Sequence, residues 1–399
     1  GLILLDLKIP GVNEFKLLNP SKEFEYDFNR IHSLRLQNFR SYSDLKCFFD
    51  GRPVVLLGPN GSGKTNILEA LSLLSPGRGL RSASFDQFRN IKGPSEWGIV
   101  AEVLSDKQTI KVSTGVSAGR LRGRDVKIND KKVTASDALP SILSLSWVTP
   151  SMDQIFMESP SARRRFLDRM CSSFNNNHIN SIKNYEKLMK ERNKLLQDNF
   201  YDKSWLGTIE ERMVSEGILI ALTRIELIKS LNNSLEKDHN PVWPRAFLKI
   251  QGNIENKLIL DELNEVKKSY KEILFNNRKK DSISGRTLEG IHRSDLLVSE
   301  RNKGVFASQC STGEQKGLLL GLILTHLDLI AEKSCRYPIL LLDEVVAHLD
   351  QLRRSSLFDQ IIKTKAQVFM TGTDISLFSS IENSAEFFSV GMGRLKEVQ

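Results

Sequence analysis

Apolar and polar residues alternate along Ile31-His32-Ser33-Leu34-Arg35-Leu36, the pattern of a half-buried strand, and Cys47-Phe48-Phe49 begins its partner. This hairpin runs on into the unbroken apolar run Val54-Val55-Leu56-Leu57, a buried strand, and Asn66 to Leu74 follows with helical spacing. Between Trp97 and Val133, short β-rich segments are broken by turn residues at Ser105-Asp106, Gly115 to Gly119 and Asn129-Asp130, which predicts an antiparallel meander. From Ser161 the period changes to that of a helix. Ser159-Pro160-Ser161 supplies start signals, Phe166, Leu167 and Met170 share one face, and residues 177 to 237 predict two longer helices that end before Pro241 and Pro244. Residues 246 to 282 predict a short strand and one charged helix, and Thr287 to Leu297 leads back to a strand-bearing core. Lys316 to Glu332 is helical, and Pro338 to Leu342 and Gln367 to Thr371 are apolar strands.

The joint between the Val54 strand and the next helix is Gly58-Pro59-Asn60-Gly61-Ser62-Gly63-Lys64-Thr65, a complete phosphate-binding P-loop in its proper strand and helix context. Gly58, Asn60, Gly61 and Gly63 let backbone N–H groups curl around phosphates, Lys64 reaches the β and γ oxygens, and the Thr65 hydroxyl is placed to ligate Mg²⁺. Asn66 continues the first helical turn, whose dipole favours the anion.

The strand Pro338-Ile339-Leu340-Leu341-Leu342 ends in Asp343-Glu344. Many strands end in acids. Beside a P-loop, Asp343 is placed to hold Mg²⁺ through water and Glu344 to polarise the attacking water. Both motifs then belong on neighbouring strands of one sheet, although about 280 residues separate Lys64 from Asp343. Cys310-Ser311-Thr312-Gly313-Glu314-Gln315 satisfies the S/T-x-x-E capping rule, and it also resembles the signature motif of ABC-type ATPases, whose Ser and Gly, here Ser311 and Gly313, bind the γ-phosphate held by a second subunit. Ala347-His348-Leu349-Asp350 stands where that class carries its D-loop, and Thr371 to Asp374 stands at its switch position without a histidine. Gln87 and Gln154 are the candidates for the class's Mg²⁺-coordinating glutamine.

Composition narrows the partners. With 40% hydrophobic and 26% charged residues, and no apolar run of about 18 residues, no membrane span is predicted. A net charge of +9 favours a polyanion. Eight Lys or Arg against two acids between Lys107 and Lys132 offer either a DNA-facing patch or a solvated strand face. Cys47, Cys171, Cys310 and Cys335 lie far apart and the six histidines are scattered, so neither a zinc site nor a disulfide framework is indicated and the thiols read as reduced and cytoplasmic.

Beyond these motifs the chain resembles the RecF family of bacterial recombinational repair over residues 31 to 395. The resemblance rests on Leu36-Gln37-Asn38-Phe39-Arg40-Ser41-Tyr42, Ser75-Pro76-Gly77-Arg78-Gly79-Leu80-Arg81, Ser159-Pro160-Ser161-Ala162-Arg163-Arg164-Arg165-Phe166-Leu167-Asp168 and Gly290-Ile291-His292-Arg293-Ser294-Asp295-Leu296. It implies an α/β fold: an ABC-type P-loop ATPase head with an antiparallel β subdomain and an inserted, mainly helical lobe, without the long coiled coil of SMC proteins. The divisions are an extension over 1–30, the N-terminal part of the head over 31–158, the inserted lobe over 159–284 and the C-terminal part over 285–399. It also implies a slow, DNA-stimulated ATPase that dimerises on ATP and Mg²⁺ at gapped or single/double-strand junction DNA and assists RecA loading with RecO and RecR. By position, Lys64 and Thr65 hold phosphate and metal, Asp343 and Glu344 serve metal and water, Ser311, Gly313 and Asp350 act across the dimer, and Arg40 and Tyr42 lie along the nucleotide. The rival readings are a transporter's nucleotide-binding subunit and an SMC-like DNA-bridging protein. The first predicts about 100 residues between P-loop and signature where this chain has 247, and the second predicts heptads.

Overall fold

Two parallel or antiparallel ladders of six strands each, and a third of three, organise the chain in the computed structural model, which describes residues 29–398 apart from 106–107, 118–122, 199–201, 238–239, 335, 365 and 392. Of the extension expected over residues 1–30, residues 1–28 lie outside the described residues. The first sheet begins with β1 (Arg30–Phe39) and β2 (Tyr42–Phe48), which pair antiparallel from Phe39 opposite Tyr42 to Ser33 opposite Phe48. The second strand therefore starts five residues before Cys47. Charged residues conceal it in the sequence: Asp44 and Lys46 lie on the solvent face, where Asp44 pairs with Arg35, while Tyr42, Leu45 and Cys47 point inward.

The meander forms as its turn residues predict. β4 (Trp97–Ser105), β5 (Gln108–Val116), β6 (Asp125–Ile128) and β7 (Lys131–Val133) extend the sheet in the order β2-β1-β4-β5-β6-β7. Asn129 and Asp130 close its last hairpin with φ of 47° and 65°, the left-handed pair that a two-residue turn requires.

The second sheet carries the P-loop strand β3 (Val54–Leu57) and helix α1 (Lys64–Ser72). It continues with α2 (Ala135–Ile142), β8 (Leu145–Val148), β12 (Ile339–Leu342), β13 (Val368–Gly372), β14 (Glu386–Gly391) and β15 (Arg394–Glu397) in the order β15-β14-β3-β13-β12-β8. All the pairings are parallel except that of β15. Contrary to expectation, β3 and β12 are not neighbours. Helix α9 (Gln351–Thr364) carries the chain from β12 to β13, which pairs with both, placing Met370 opposite Val55 on one side and Leu342 on the other. β3 and β12 are apolar at every position, and β13 is so up to Met370, because both faces are covered.

The inserted part comprises α3 (Pro160–Phe174), α4 (His178–Gln197), α5 (Lys203–Lys237), β9 (Ala246–Gln251), α6 (Asn253–Leu260) and α7 (Leu263–Ser284). Where one charged helix is predicted after β9 there are two, because Asp261 and Glu262 take extended backbone between them. β9 pairs with β10 (Asp295–Glu300), and β10 with β11 (Val305–Phe306), so this small sheet crosses the expected boundary at residue 284. Packing also divides the chain differently from its sequence pattern. Tyr185, Leu188, Ile209, Met213, Ile218, Tyr270 and Leu274 form a core of their own, whereas α3 and the second half of α5, with Leu227, Leu231 and Leu235, belong to the core of the sheets. Helix α8 (Thr312–Ser334) is buried around most of its circumference, including Leu318, Leu319, Leu320, Leu322 and Ile323.

Candidate active site

The P-loop turns at Gly61 with φ of 80° and Gly63 with φ of 108°. At Gly63 a side chain would also collide with Tyr42, whose hydroxyl donates to the Gly63 carbonyl at 3.1 Å. The Lys64 ammonium, mostly buried, donates to the carbonyls of Gly58 at 2.7 Å and Pro59 at 2.9 Å, so the loop itself satisfies the charge. Burial lowers the Lys64 pKa, and the nearby Glu344 and Asp343 carboxylates oppose that shift. The Ser62 hydroxyl is buried in the loop without a hydrogen-bond partner among the described residues. An orphaned hydroxyl, a held ammonium and the N-terminus of α1 thus meet around one concave backbone, a donor set that fits the oxygens of a polyphosphate.

The end of β12, one strand removed from β3, supplies the acids Asp343 and Glu344. Thr65, the second residue of α1, donates its hydroxyl to Asp343 Oδ1 at 2.9 Å, joining residues 278 positions apart. Thr371 at the end of β13 donates to the same oxygen at 2.9 Å and accepts the Glu344 N–H at 2.8 Å. Glu344 has φ of 53°, a strained conformation for a residue with a side chain. A hydroxyl and a carboxylate in contact beside a phosphate loop are the oxygen ligands that Mg²⁺ takes.

Ser311, Thr312 and Gly313 are exposed at the start of α8. Glu314 accepts the Ser311 N–H and hydroxyl, each at 3.0 Å, and Lys303 pairs with it, so the capping box is formed. These contacts hold Glu314 down to a pKa of about 2. Arg353 donates to the Gly313 carbonyl at 3.0 Å, and its backbone N–H donates to Asp350, joining the exposed Asp350 to the signature segment. Among the described residues the hydrogen bonds of this surface stay within it, and none reaches the P-loop.

A model of the RecF/RecN/SMC N terminal domain matches residues 30–395. DNA replication and repair protein RecF of Rhizobium johnstonii is 41% identical over 370 residues, covering 92% of this chain and 98% of its own. The chain belongs to the RecF family. RecF of Brucella suis biovar 1 is likewise 41% identical over 92% of the chain and 95% of its own length. The solved structure of the recombination mediator protein RecF-ATP in the RecFOR pathway superposes with a TM-score of 0.82 at 23% identity, covering 94% of this chain and 98% of that one. An SMC head domain from Pyrococcus furiosus superposes at 0.52 and 16% identity over 93% of the chain. The RecF-family head is therefore the fold, and the SMC likeness is one of fold alone.

Other predicted residues of this RecF-family chain take places that the motifs do not reveal. Arg40 gives three donors to protein: Nε and Nη2 to the buried Glu69 at 2.8 and 2.9 Å, and Nη1 to the Gln87 carbonyl at 2.8 Å. Tyr42 is fully buried, so it braces the loop from beneath and presents no open face. Asn66 accepts from Arg81 at 3.3 Å and donates to Ser41 at 2.9 Å, while Asn60 is exposed at the loop tip. Gln87 is engaged in a local turn with Ser84, whereas Gln154 is exposed after β8, the strand beside that of Asp343.

Of the five described basic residues of the meander stretch, Lys111, Arg124 and Lys132 are engaged within the protein, while Lys127 and Lys131 are exposed. Lys107, Arg120 and Arg122 lie outside the described residues, and Lys111 and Lys132 pair with Asp130 and Asp125. Arg124 donates to the carbonyls of Leu73 and Ser75, capping the end of α1, and burial lowers its pKa to about 10. Arg163 pairs with Asp295 at 2.6 Å and Arg164 donates to the Ser294 carbonyl, so two of the three adjacent arginines join α3 to β10. Asp168, Cys171 and His178 cluster closely enough for a metal, but both Asp168 oxygens accept from Arg224 at 2.8 Å, which makes the group an ion-pair network. Cys47, Cys171 and Cys310 are free and buried, and Cys335 lies outside the described residues. No helix of the described residues is long and apolar enough to cross a membrane.

Proposed function

We propose that this RecF-family chain is a slow, Mg²⁺-dependent and DNA-stimulated ATPase of the cytoplasm that dimerises on ATP at gapped or single/double-strand junction DNA. The reading is carried by the contact of Thr65 with Asp343, which closes a phosphate loop onto an acidic strand end at 2.9 Å. In it, backbone N–H groups from Gly58 to Thr65 and the Lys64 ammonium hold the phosphates, and Thr65 and Asp343 hold the metal. Bound Mg²⁺ supplies neutralisation of charge on the β and γ oxygens. Lys64 exchanges its two carbonyl acceptors for phosphate oxygens, and Glu344 orients water for in-line attack. Ser311, Gly313 and Asp350, exposed on one face, contact the nucleotide of the partner subunit, which explains why a lone head holds its signature segment apart from its own loop. Partners follow from the family: DNA, and RecO and RecR of the RecFOR pathway named for the solved relative, in support of RecA loading.

Glu344→Gln preserves the metal ligands and removes the group that orients water. In this variant ATP binding stays within a few fold of wild type, hydrolysis falls by about 100-fold or more, and light scattering finds a persistent dimer in ATP. Lys64→Ala removes nucleotide binding. A Glu344→Gln protein that stays monomeric in saturating ATP would exclude the shared-site reading. Fluorescence anisotropy on a gapped and a blunt duplex of equal length, with and without ATP, tests the DNA partner. Tighter ATP-dependent binding to the gap supports it, and equal binding regardless of ATP counts against a nucleotide-controlled clamp.

A further inference from the structure

The switch position of the sheet carries Thr371, and its hydroxyl joins two adjacent groups of the site. It donates to Asp343 Oδ1 at 2.9 Å and accepts the Glu344 N–H at 2.8 Å. Thr371 is 1% exposed, so neither contact is exchanged cheaply for one with water. The topology makes the arrangement possible because β13 lies between β3 and β12, ending beside both the P-loop and the acids. The peptide that Thr371 holds is the strained one, with Glu344 at φ of 53°. Without that hydroxyl the Glu344 N–H loses its acceptor and the residue loses the bond that offsets its conformational cost.

We infer that Thr371 is the positioning residue of hydrolysis: its hydroxyl fixes the Asp343 carboxylate and the Glu344 backbone together, so that the metal ligand and the water-orienting carboxylate keep one geometry through the reaction. The inference rests on the roles proposed above for Asp343 and Glu344. Thr65 donates to the same Asp343 oxygen at 2.9 Å, a bond that leaves the lone pairs of its own oxygen for a metal. Thr371 is the second donor to that oxygen, and it ties the carboxylate to the Glu344 backbone. A hydroxyl is the appropriate group for this double duty because it donates to a carboxylate and accepts from an amide at once. The methyl group of a valine fills the same volume and does neither.

The test compares Thr371→Val, Thr371→Ser and Glu344→Gln in the full chain, measuring nucleotide affinity with a fluorescent ATP analogue and hydrolysis by single turnover. Thr371→Val is expected to bind the analogue within about threefold of wild type and to hydrolyse about 100-fold more slowly, the scale of a misplaced reacting group. Thr371→Ser restores most of the rate. A valine variant that hydrolyses within threefold of wild type overturns the inference, and so does a serine variant as slow as the valine one. Should the valine protein fail to fold, Thr371→Ala against Thr371→Ser makes the same comparison. Glu344→Gln separates the two readings. If it hydrolyses normally, the site assignment itself fails; if it is inactive while Thr371→Val is normal, only the role of Thr371 fails.

Discussion

Glu386 is the residue whose protonation the fold changes most usefully for a test. It opens β14, accepts the Asp50 N–H at 3.0 Å, and is raised to about 7 by burial and then by its interaction with Asp50. A carboxyl raised in the folded state binds its proton more tightly there than in the unfolded chain. Its stabilising contribution is therefore complete below the ordinary value of 4.5 and is lost as pH rises through about 7. Glu386→Gln keeps an oxygen acceptor for the Asp50 N–H and removes the charge. Thermal unfolding at pH 5 and pH 8 should show wild type losing more stability than the variant across that interval. Parallel curves would remove Glu386 as the cause. Arg40 makes a related point at this scale, since a residue expected to face a ligand serves to neutralise a fully buried glutamate, Glu69.

At the scale of elements, buried arginines fix how the helices join. Arg224 on α5 binds Asp168 of α3 through both oxygens, Glu255 of α6 at 3.2 Å and the Ile291 carbonyl at 2.8 Å. Asp168 is held down to about 2, its burial outweighed by Arg224 and by His178. Arg192 on α4 similarly binds Glu210 and Asp281 within the second core. Arg224→Met leaves the buried Glu255 and the half-buried Asp168 without this cation and is expected to cost about 3–5 kcal/mol in urea unfolding. Arg165→Ala, exposed beside the interlobe pairs of Arg163 and Arg164, should stay within about 0.5 kcal/mol of wild type. An equal effect of the two changes would show that burial of the network does not set its energetic weight.

For the whole molecule, the +9 charge and the family point to a polyanionic partner, and in the meander Asp130 and Asp125 pair with Lys111 and Lys132 while Lys127 and Lys131 stay exposed. DNA affinity should then depend on the summed field and on contacts spread over the surface. Its logarithm is expected to fall by about 0.9 per phosphate contact for each tenfold rise in salt, read by anisotropy between 50 and 200 mM. Binding indifferent to salt would exclude an electrostatic interface. The inserted lobe ends in the hairpin of α4 and α5, of 20 and 35 residues, roughly 30 and 50 Å long at 1.5 Å per residue. This head therefore carries a compact lobe where an SMC protein carries a long arm.

What the sequence determined by itself was contiguous chemistry. The P-loop, the acidic strand end, the capping box at Ser311 and the Asn129-Asp130 turn each depend on neighbours a few residues away, and the period of apolar positions located most of the strands and helices around them. The tertiary structure alone decided which distant groups meet. It placed β13 between the two motif strands, brought Thr371 to Asp343 and Glu344, turned Arg40 to Glu69, and made Arg124 a helix cap in place of a DNA contact. The reason is that periodicity reports which face of an element is buried, whereas strand order and the pairing of buried charges arise from packing between elements that local sequence does not encode.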